Sequence, residues 1–270
     1  MKWGLICNFH LENAVSLAGE IYDFLSDKGE IFAEECVAKN KKIKGYSNGE
    51  INKKSDIVIT IGGDGTILRA LEFIEKPIFA VNSGGMGFLT EVEPENAMDG
   101  LKRIIDGDYN VEERAKLKVT IDGKRLPDAA NEVTIQTPRI AKILYLKIFV
   151  ENELIEAFGS DGVIVATPTG STSYALSAGG PILDPVVDAM VIAPLAPFKL
   201  SARPWVIPLD KKVGITLFHK SKEAKLVIDG ESPQNITNNS EIFITGSEKK
   251  ARFVRFGETF YQMVRMKLVR

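Results

Sequence analysis

Five consecutive positions, Ile57-Val58-Ile59-Thr60-Ile61, are β-branched with no polar alternation. Such a run predicts a strand buried on both faces, as inside a parallel sheet. A shorter apolar run over residues 3–7 predicts a first strand. Between the two, Ala14, Leu17, Ala18, Ile21 and Leu25 recur at helical spacing and form one buried stripe, which Gly29 ends. Residues 38–54, rich in Lys, Asn and Gly, read as a surface loop with little core. Beyond residue 61 the pattern predicts a glycine loop, a short helix over 66–74 and a strand over 78–81. A further helix is expected over 94–105, with Ala97, Leu101, Ile104 and Ile105 inward. Residues 1–107 therefore read as a doubly wound, Rossmann-like α/β domain.

The pattern changes after Gly107. Strand-like runs cover 117–121, 133–137, 143–150, 162–166, 190–192, 213–218, 226–228 and 242–245. The pairs Asp122-Gly123, Glu151-Asn152 and Asp229-Gly230 punctuate them as turns. One helical patch, 171–177, interrupts the series. Residues 108–250 thus read as a mostly antiparallel β-sandwich domain. A strand over 252–256 and an amphipathic helix with Phe260, Met263, Val264 and Leu268 follow, and the segment 251–270 is expected to return to the first domain.

The length of 270 residues suits two domains. Lys plus Arg number 34 and Asp plus Glu 36, a formal charge of −2 that argues against nucleic acid or an anionic membrane as partner. The basic residues Lys249, Lys250, Arg252, Arg255, Arg265, Lys267 and Arg270 read as a solvated face. No long uncharged apolar run suggests a membrane span, and the first apolar stretch is shorter than a signal peptide needs. Cys7 and Cys36 are the only cysteines, so no disulfide scaffold is expected and a reducing cytoplasm is. With His10 and His219 the only histidines, a His-rich metal site is excluded.

The 57–61 strand runs into Gly62-Gly63-Asp64-Gly65-Thr66 and then a helix. Glycines there permit positive φ and let a ligand approach the backbone closely. A helix N-terminus beyond the carboxyl end of a strand suits phosphate. Neither Gly-x-x-x-x-Gly-Lys-Ser/Thr nor Gly-x-Gly-x-x-Gly occurs, so the two commonest phosphate loops are absent. Asp64 would repel a phosphate unless it lies near a divalent cation or takes a proton from an attacking hydroxyl, and both options point to phosphoryl transfer. An N-capping turn is the plainer alternative. A second glycine loop, Asn82-Ser83-Gly84-Gly85-Met86-Gly87-Phe88-Leu89, follows the next strand, and Phe88 could stack on a base or belong to the core.

From Asp161 to Tyr174 an apolar strand ends in a hydroxyl-rich loop stiffened by Pro168 and loosened by Gly170. Hydroxyls donate and accept, so they can read a purine edge, and Tyr174 offers a flat face with a polar tip. A helix-capping loop would need only one such hydroxyl. Asn131-Glu132 could grip a ribose diol, although such pairs are mostly solvated.

In this order, Gly62–Thr66, Asn131-Glu132 and Asp161–Tyr174 resemble an NAD kinase. So do residues 83–89, 177–182 and 201–208, whereas the first 50 residues carry almost none of the resemblance. The resemblance implies phosphoryl transfer from ATP or polyphosphate to the 2′-hydroxyl of the adenosine ribose of NAD, with a divalent cation, Mg²⁺ or another. It implies that Asp64 contacts or deprotonates that hydroxyl and that Gly62, Gly63, Gly65 and Thr66 hold donor phosphates. Asn131 and Glu132 would hold the ribose, Thr169, Thr172 and Tyr174 the adenine side, Asp161 the nicotinamide end, and Phe88 would lie beside the dinucleotide. Ser173 stands where the family usually has Ala and adds a hydroxyl near the purine, Phe198 stands where His is common, and Glu231 where an amide or His is frequent. The family also implies a homotetramer or homodimer whose sites borrow residues from a neighbour. A lipid or sphingoid kinase and a non-catalytic dinucleotide sensor remain the alternatives. Donor identity, use of NADH, the metal and feedback control are open at this stage.

Overall fold

Short apolar runs build the first sheet. Strands β1 (Lys2–Cys7), β2 (Glu30–Ala33), β3 (Ile57–Ile61) and β4 (Ile78–Val81) pair in parallel, in the order β2-β1-β3-β4. Helices α1 (Glu12–Leu25), α2 (Glu35–Lys41), α3 (Asn48–Lys54), α4 (Asp64–Leu71) and α5 (Ala97–Ile105) complete the α/β part. The computed structural model describes residues 1–84, 87–139, 142–218, 223–257 and 260–268. It divides into two units, Met1–Glu113 with Ala251–Arg270, and Arg114–Lys250.

Helices cover both faces of the first unit's sheet, which is why its strands carry no polar alternation. On one face Trp3, Leu5, Cys7, Ile57, Ile59, Ile61, Phe79 and Val81 form a core with Ala14, Ala18, Ile21 and Leu25 of α1 and Ala97, Leu101 and Ile104 of α5. On the other, α3 comes so close that a Cβ on Gly4 would lie 2.6 Å from Ile51 Cγ2. The sheet order reverses between β1 and β3, the switch point at which open α/β sheets bind ligands beyond their carboxyl ends. Phe253 pairs in parallel with Ile78, and the C-terminal helix Phe260–Leu268 belongs to this unit, with Met263 buried.

Two expectations for this unit fail. The segment 38–54, expected as a loop, holds the end of α2 and all of α3, because few buried residues suffice to seat these helices: Val37 and Ala38 on α2, Ile51 on α3. The start of α3 was legible, since Ser47 and Glu50 form a reciprocal capping box. Ile105, expected inward, is exposed at the end of α5.

The second unit takes up the chain within β5 (Asn110–Ile121), followed by β6 (Lys124–Arg125), β7 (Glu132–Gln136), β8 (Leu144–Val150), β9 (Glu153–Ser160) and β10 (Gly162–Ala166). After α6 (Tyr174–Ser177) come β11 (Ala189–Leu195), β12 (Trp205–Pro208), β13 (Val213–Leu217), β14 (Glu223–Ile228), β15 (Glu231–Thr237) and β16 (Ile242–Arg255). One sheet runs β12-β11-β10-β7-β14-β15, antiparallel throughout. A second antiparallel layer runs β16-β13-β8-β9. Val133, Ile135, Val163, Val165 and Leu226 of the first interdigitate with Leu144, Leu146, Ile148, Ile215 and Ile244 of the second in one core, so the unit is a sandwich. The outer face of β10 and β11 is covered as well, by Ala175 and Leu183, which explains the unbroken apolar run of β10. The turn residues Asp122, Gly123, Glu151, Asp229 and Gly230 have positive φ. Strands β6, β9, β12 and β15 are additional to those expected, and the run 242–245 and most of the run 252–256 belong to one strand, Ile242–Arg255, whose residues 248–250 have partly exposed side chains.

Candidate functional site

Strand β3 delivers Gly62 and Gly63 to the switch point, and α4 begins at Asp64 with Gly63 as its N-cap. None of Gly62, Gly63 and Gly65 has positive φ, so the expected left-handed conformation is not what the glycines serve. Gly62 is needed for space: a Cβ there would lie 2.2 Å from Thr66 Oγ1. Nothing lies within 4 Å of a Cβ built on Gly63 or Gly65, which leaves the loop surface bare. Thr66 is buried behind it.

Asp64 does not cap its own helix. Its Oδ2 accepts the Phe88 N–H at 2.8 Å and its Oδ1 accepts the Leu89 N–H at 3.1 Å. Backbone donors of the second glycine loop thus meet the carboxylate, a compensation the sequence reading did not consider. The approach is tight, for a Cβ on Gly87 would come within 2.6 Å of Asp64 Oδ1. The same loop is tied down by Asn82, whose Nδ2 donates to Glu93, and by Asn13, whose Nδ2 donates to the Ser83 carbonyl. Gly84 alone among the loop's described glycines has positive φ, 112°. Gly85 and Met86 lie outside the described residues. Phe88 is half-buried, with the Lys267 ammonium 5.5 Å from its ring centroid.

In the second unit Asn131 and Glu132 enter β7 only 7% and 8% exposed, against the expectation that such pairs are solvated. A residue the sequence reading treated only as a turn holds them. Asp229, in the β14–β15 turn, accepts the N–H groups of Ala130 at 2.7 Å, Asn131 at 2.8 Å and Glu132 at 2.9 Å. Its own N–H donates to the Glu132 carbonyl at 3.0 Å. The hydroxyl-rich loop closes on the same segment. The Thr167 N–H donates to the Asn131 carbonyl at 2.8 Å, and the Thr167 hydroxyl to the Ala130 carbonyl at 2.6 Å. A Cβ on Gly170 would lie 2.1 Å from the Asn131 carbonyl oxygen, so glycine is required there for close backbone approach.

Several loop hydroxyls are structural. Ser171 donates to the Pro168 carbonyl and accepts the Leu183 N–H, and Thr172 donates to the Thr169 carbonyl. Three other oxygens behave differently. Asn131 Oδ1, Glu132 Oε2 and Thr169 Oγ1 are buried without a protein partner. Unpaired buried acceptors are costly, so three on adjoining segments make this a candidate surface for hydrogen-bond donors from a ligand. Ser173 hydrogen-bonds the Glu132 carboxylate, and Tyr174 is exposed beside them. Asp161 is not brought to this group. It precedes β10 while the hydroxyl loop follows it, roughly 20 Å away at the rise of an extended strand.

Glu132 is pushed up to about 7, chiefly by burial and then by the Asp229 charge, with the Ser173 hydrogen bond opposing. Burial also raises Asp229, against the three backbone N–H groups and the Lys116 charge. Among the described residues no group of three His, Cys, Asp or Glu side chains could hold a metal ion. A lone loop carboxylate fits a Mg²⁺ ion that arrives on phosphate oxygens and keeps several waters, and does not fit an all-protein cage.

The raised Glu132 makes a stability prediction. Below pH 4.5 the group is protonated in both folded and unfolded chains and its contribution is fully present. As pH rises to about 7 the unfolded chain releases the proton first, and that contribution is lost. Glu132→Gln does not titrate, so its stability, followed by thermal melts at each pH, should gain on that of the parent between those limits by about 3 kcal/mol and level off above them. A difference that stays constant from pH 4 to pH 8 would contradict the assignment.

Comparison with known proteins identifies the family. Residues 3–109 match the ATP-NAD kinase N-terminal domain and residues 130–256 the ATP-NAD kinase C-terminal domain. The NAD kinase of Methanothermobacter thermautotrophicus is 43% identical over 274 residues, spanning 100% of this chain and 96% of that protein. That of Thermococcus kodakarensis is 40% identical over 276 residues, spanning 99% of each. An Archaeoglobus fulgidus NAD kinase solved in complex with ATP superposes with a TM-score of 0.82 at 28% identity, over 98% of this chain and 99% of that one. Yeast NADH kinase complexed with NADH shares the fold, with a TM-score of 0.91 at 23% identity over 100% of this chain and 87% of that one. Both halves are matched in order and the relatives align from end to end, so this chain belongs to the ATP-NAD kinase family of phosphotransferases.

Proposed function

We propose that the chain transfers the terminal phosphoryl group of ATP to the 2′-hydroxyl of the adenosine ribose of NAD, giving NADP. The observation that carries this reading is the trio of unpartnered acceptors, Asn131 Oδ1, Glu132 Oε2 and Thr169 Oγ1. A ribose diol and a purine amino group supply the donors they lack. Membership of the family sets aside the lipid-kinase alternative. ATP is preferred to polyphosphate as donor because the Archaeoglobus relative was solved with it.

In this reading the first unit handles the donor and the second the dinucleotide. The bare backbone of Gly62, Gly63 and Gly65 and the start of α4 receive donor phosphates, with Thr66 behind. A divalent ion, Mg²⁺ in our reading, would neutralise phosphate charge there. A loose phosphoryl transition state asks mainly for positioning and charge neutralisation. Asp64 orients the 2′-hydroxyl and takes its proton as the bond to phosphorus forms. Two backbone N–H groups fix the carboxylate and leave lone pairs on both oxygens for that task. Asn131 and Glu132, held by Asp229, grip the ribose. Thr169, Thr172, Ser173 and Tyr174 face the adenine side, and Phe88 flanks the dinucleotide.

We assign Asp161 to a site shared with a second copy of the chain, in a homodimer or homotetramer. Its N–H donates to the Leu195 carbonyl at 3.0 Å, next to a segment where Phe198 is 85% and Leu200 95% exposed. Trp205 and Val206 add exposed apolar surface on the edge strand β12. A patch of this kind is characteristic of an interface. Among the described residues no helix is long and apolar enough to cross a membrane. The compartment we propose is the cytoplasm, where Cys7 and Cys36 rest as thiols.

Two outcomes test the reading. Asp64→Asn should lower kcat for NADP formation by about 10²–10⁴ with little change in the KM for NAD. A variant with an unaltered melting temperature and near-native kcat would refute the role of Asp64, and binding of NAD by the parent without NADP formation would favour a sensor. Leu200→Asp should reduce the mass measured by light scattering to a smaller assembly, and an unchanged mass would remove this face from the interface.

A further inference from the structure

The two cysteines, 29 residues apart in sequence, meet in the fold: Cys7 Sγ and Cys36 Sγ are 3.0 Å apart. Cys7 ends β1 and is fully buried, whereas Cys36 lies in the first turn of α2 and is partly exposed. Cys7 is the register partner of Ile61, the residue before Gly62, so the pair sits beside the glycine–aspartate loop. Arg69 of α4 ties the same region together. Its Nη2 donates to the Cys7 carbonyl at 3.0 Å, and its guanidinium pairs with Glu34, the N-cap of α2.

We propose that Cys7 and Cys36 are a site of reversible covalent modification, closing an intramolecular disulfide that locks the start of α2 to the end of β1. Two sulfurs already in contact need only a small approach to reach bonding distance. Access is asymmetric. A low-molecular-weight disulfide reaches Cys36, while Cys7 is shielded and can react only with its neighbour. The contact with Cys7 holds the Cys36 thiol below its ordinary range, against burial and the Glu34 carboxylate to which Cys36 Sγ donates at 3.7 Å, and the same contact, with burial, pushes Cys7 up. As the accessible sulfur of the pair, Cys36 is the one that attacks, once its proton has left.

The exchange balances in two steps. The Cys36 thiolate attacks one sulfur of the small disulfide, forms a mixed disulfide and expels a thiolate, which takes up the proton Cys36 released. Cys7 then gives its proton to the second departing thiolate as its sulfur bonds to Cys36 Sγ. The protein pair is oxidised by two electrons, and one small disulfide is reduced to two thiols.

The test uses the full chain, reduced, freed of reductant and incubated with oxidised glutathione. Thiols titrated after denaturation should fall from two to none per chain, with an intact mass about 2 Da lower and no covalent dimer. Closing a loop of this length should raise the melting temperature by about 5–10 °C, and dithiothreitol should reverse both changes. Cys36→Ser, at the partly exposed position, should fold and show no oxidant-dependent shift. Two thiols still free, a glutathione adduct persisting on Cys36, or disulfide-linked dimers would each overturn the proposal.

Discussion

An aspartate carboxylate that accepts consecutive backbone N–H groups from another loop organises each unit of this protein. Asp64 holds the second glycine loop through Phe88 and Leu89. Asp229 holds the segment 130–132 through Ala130, Asn131 and Glu132. Hydrogen bonds to a charged acceptor contribute about 1.5–3 kcal/mol each, more than neutral ones, and they fix direction as well as distance. In both places loops that would otherwise be free are brought to one geometry, and the proposed chemistry uses atoms those loops present.

The two carboxylates differ in what they leave available. Asp64 is only half-buried and sits at the switch point of a parallel sheet, on a loop whose glycines keep the backbone bare. That is where a charged, reacting group can serve phosphoryl transfer. Asp229 is spent on structure, and its charge raises the proton affinity of neighbouring Glu132. Burial of Glu132, Asn131 and Thr169 with unpaired oxygens costs stability in the free chain, a cost that the dinucleotide of the proposed reading would relieve.

Much of this was legible in the residues. The unbroken run 57–61 announced a strand buried on both faces, and the glycine loop behind it announced the turn into a helix. The Asp-Gly pairs marked turns that do have positive φ. What escaped depended on partners distant in sequence. Nothing near Asp229 says that its carboxylate reaches back almost 100 residues to the segment before β7. Nothing near Cys7 says that Cys36 lies against it. The glycines were read for conformational freedom and for close approach of a ligand, whereas Gly62 and Gly170 are required because the protein's own side-chain and backbone atoms occupy the space a Cβ would take. Asp161 was expected at the nicotinamide end, apart from the adenine-side hydroxyls, and the five-residue strand β10 does separate it from the hydroxyl loop.

The account rests on Asp64 acting directly on the sugar hydroxyl. A crystal structure of the chain with NAD bound measures this most directly. The account predicts an Asp64 carboxylate oxygen within about 2.6–3.2 Å of the adenosine 2′-oxygen. A fully occupied dinucleotide whose 2′-oxygen lies out of hydrogen-bond reach of Asp64, with no bridging water, would contradict it.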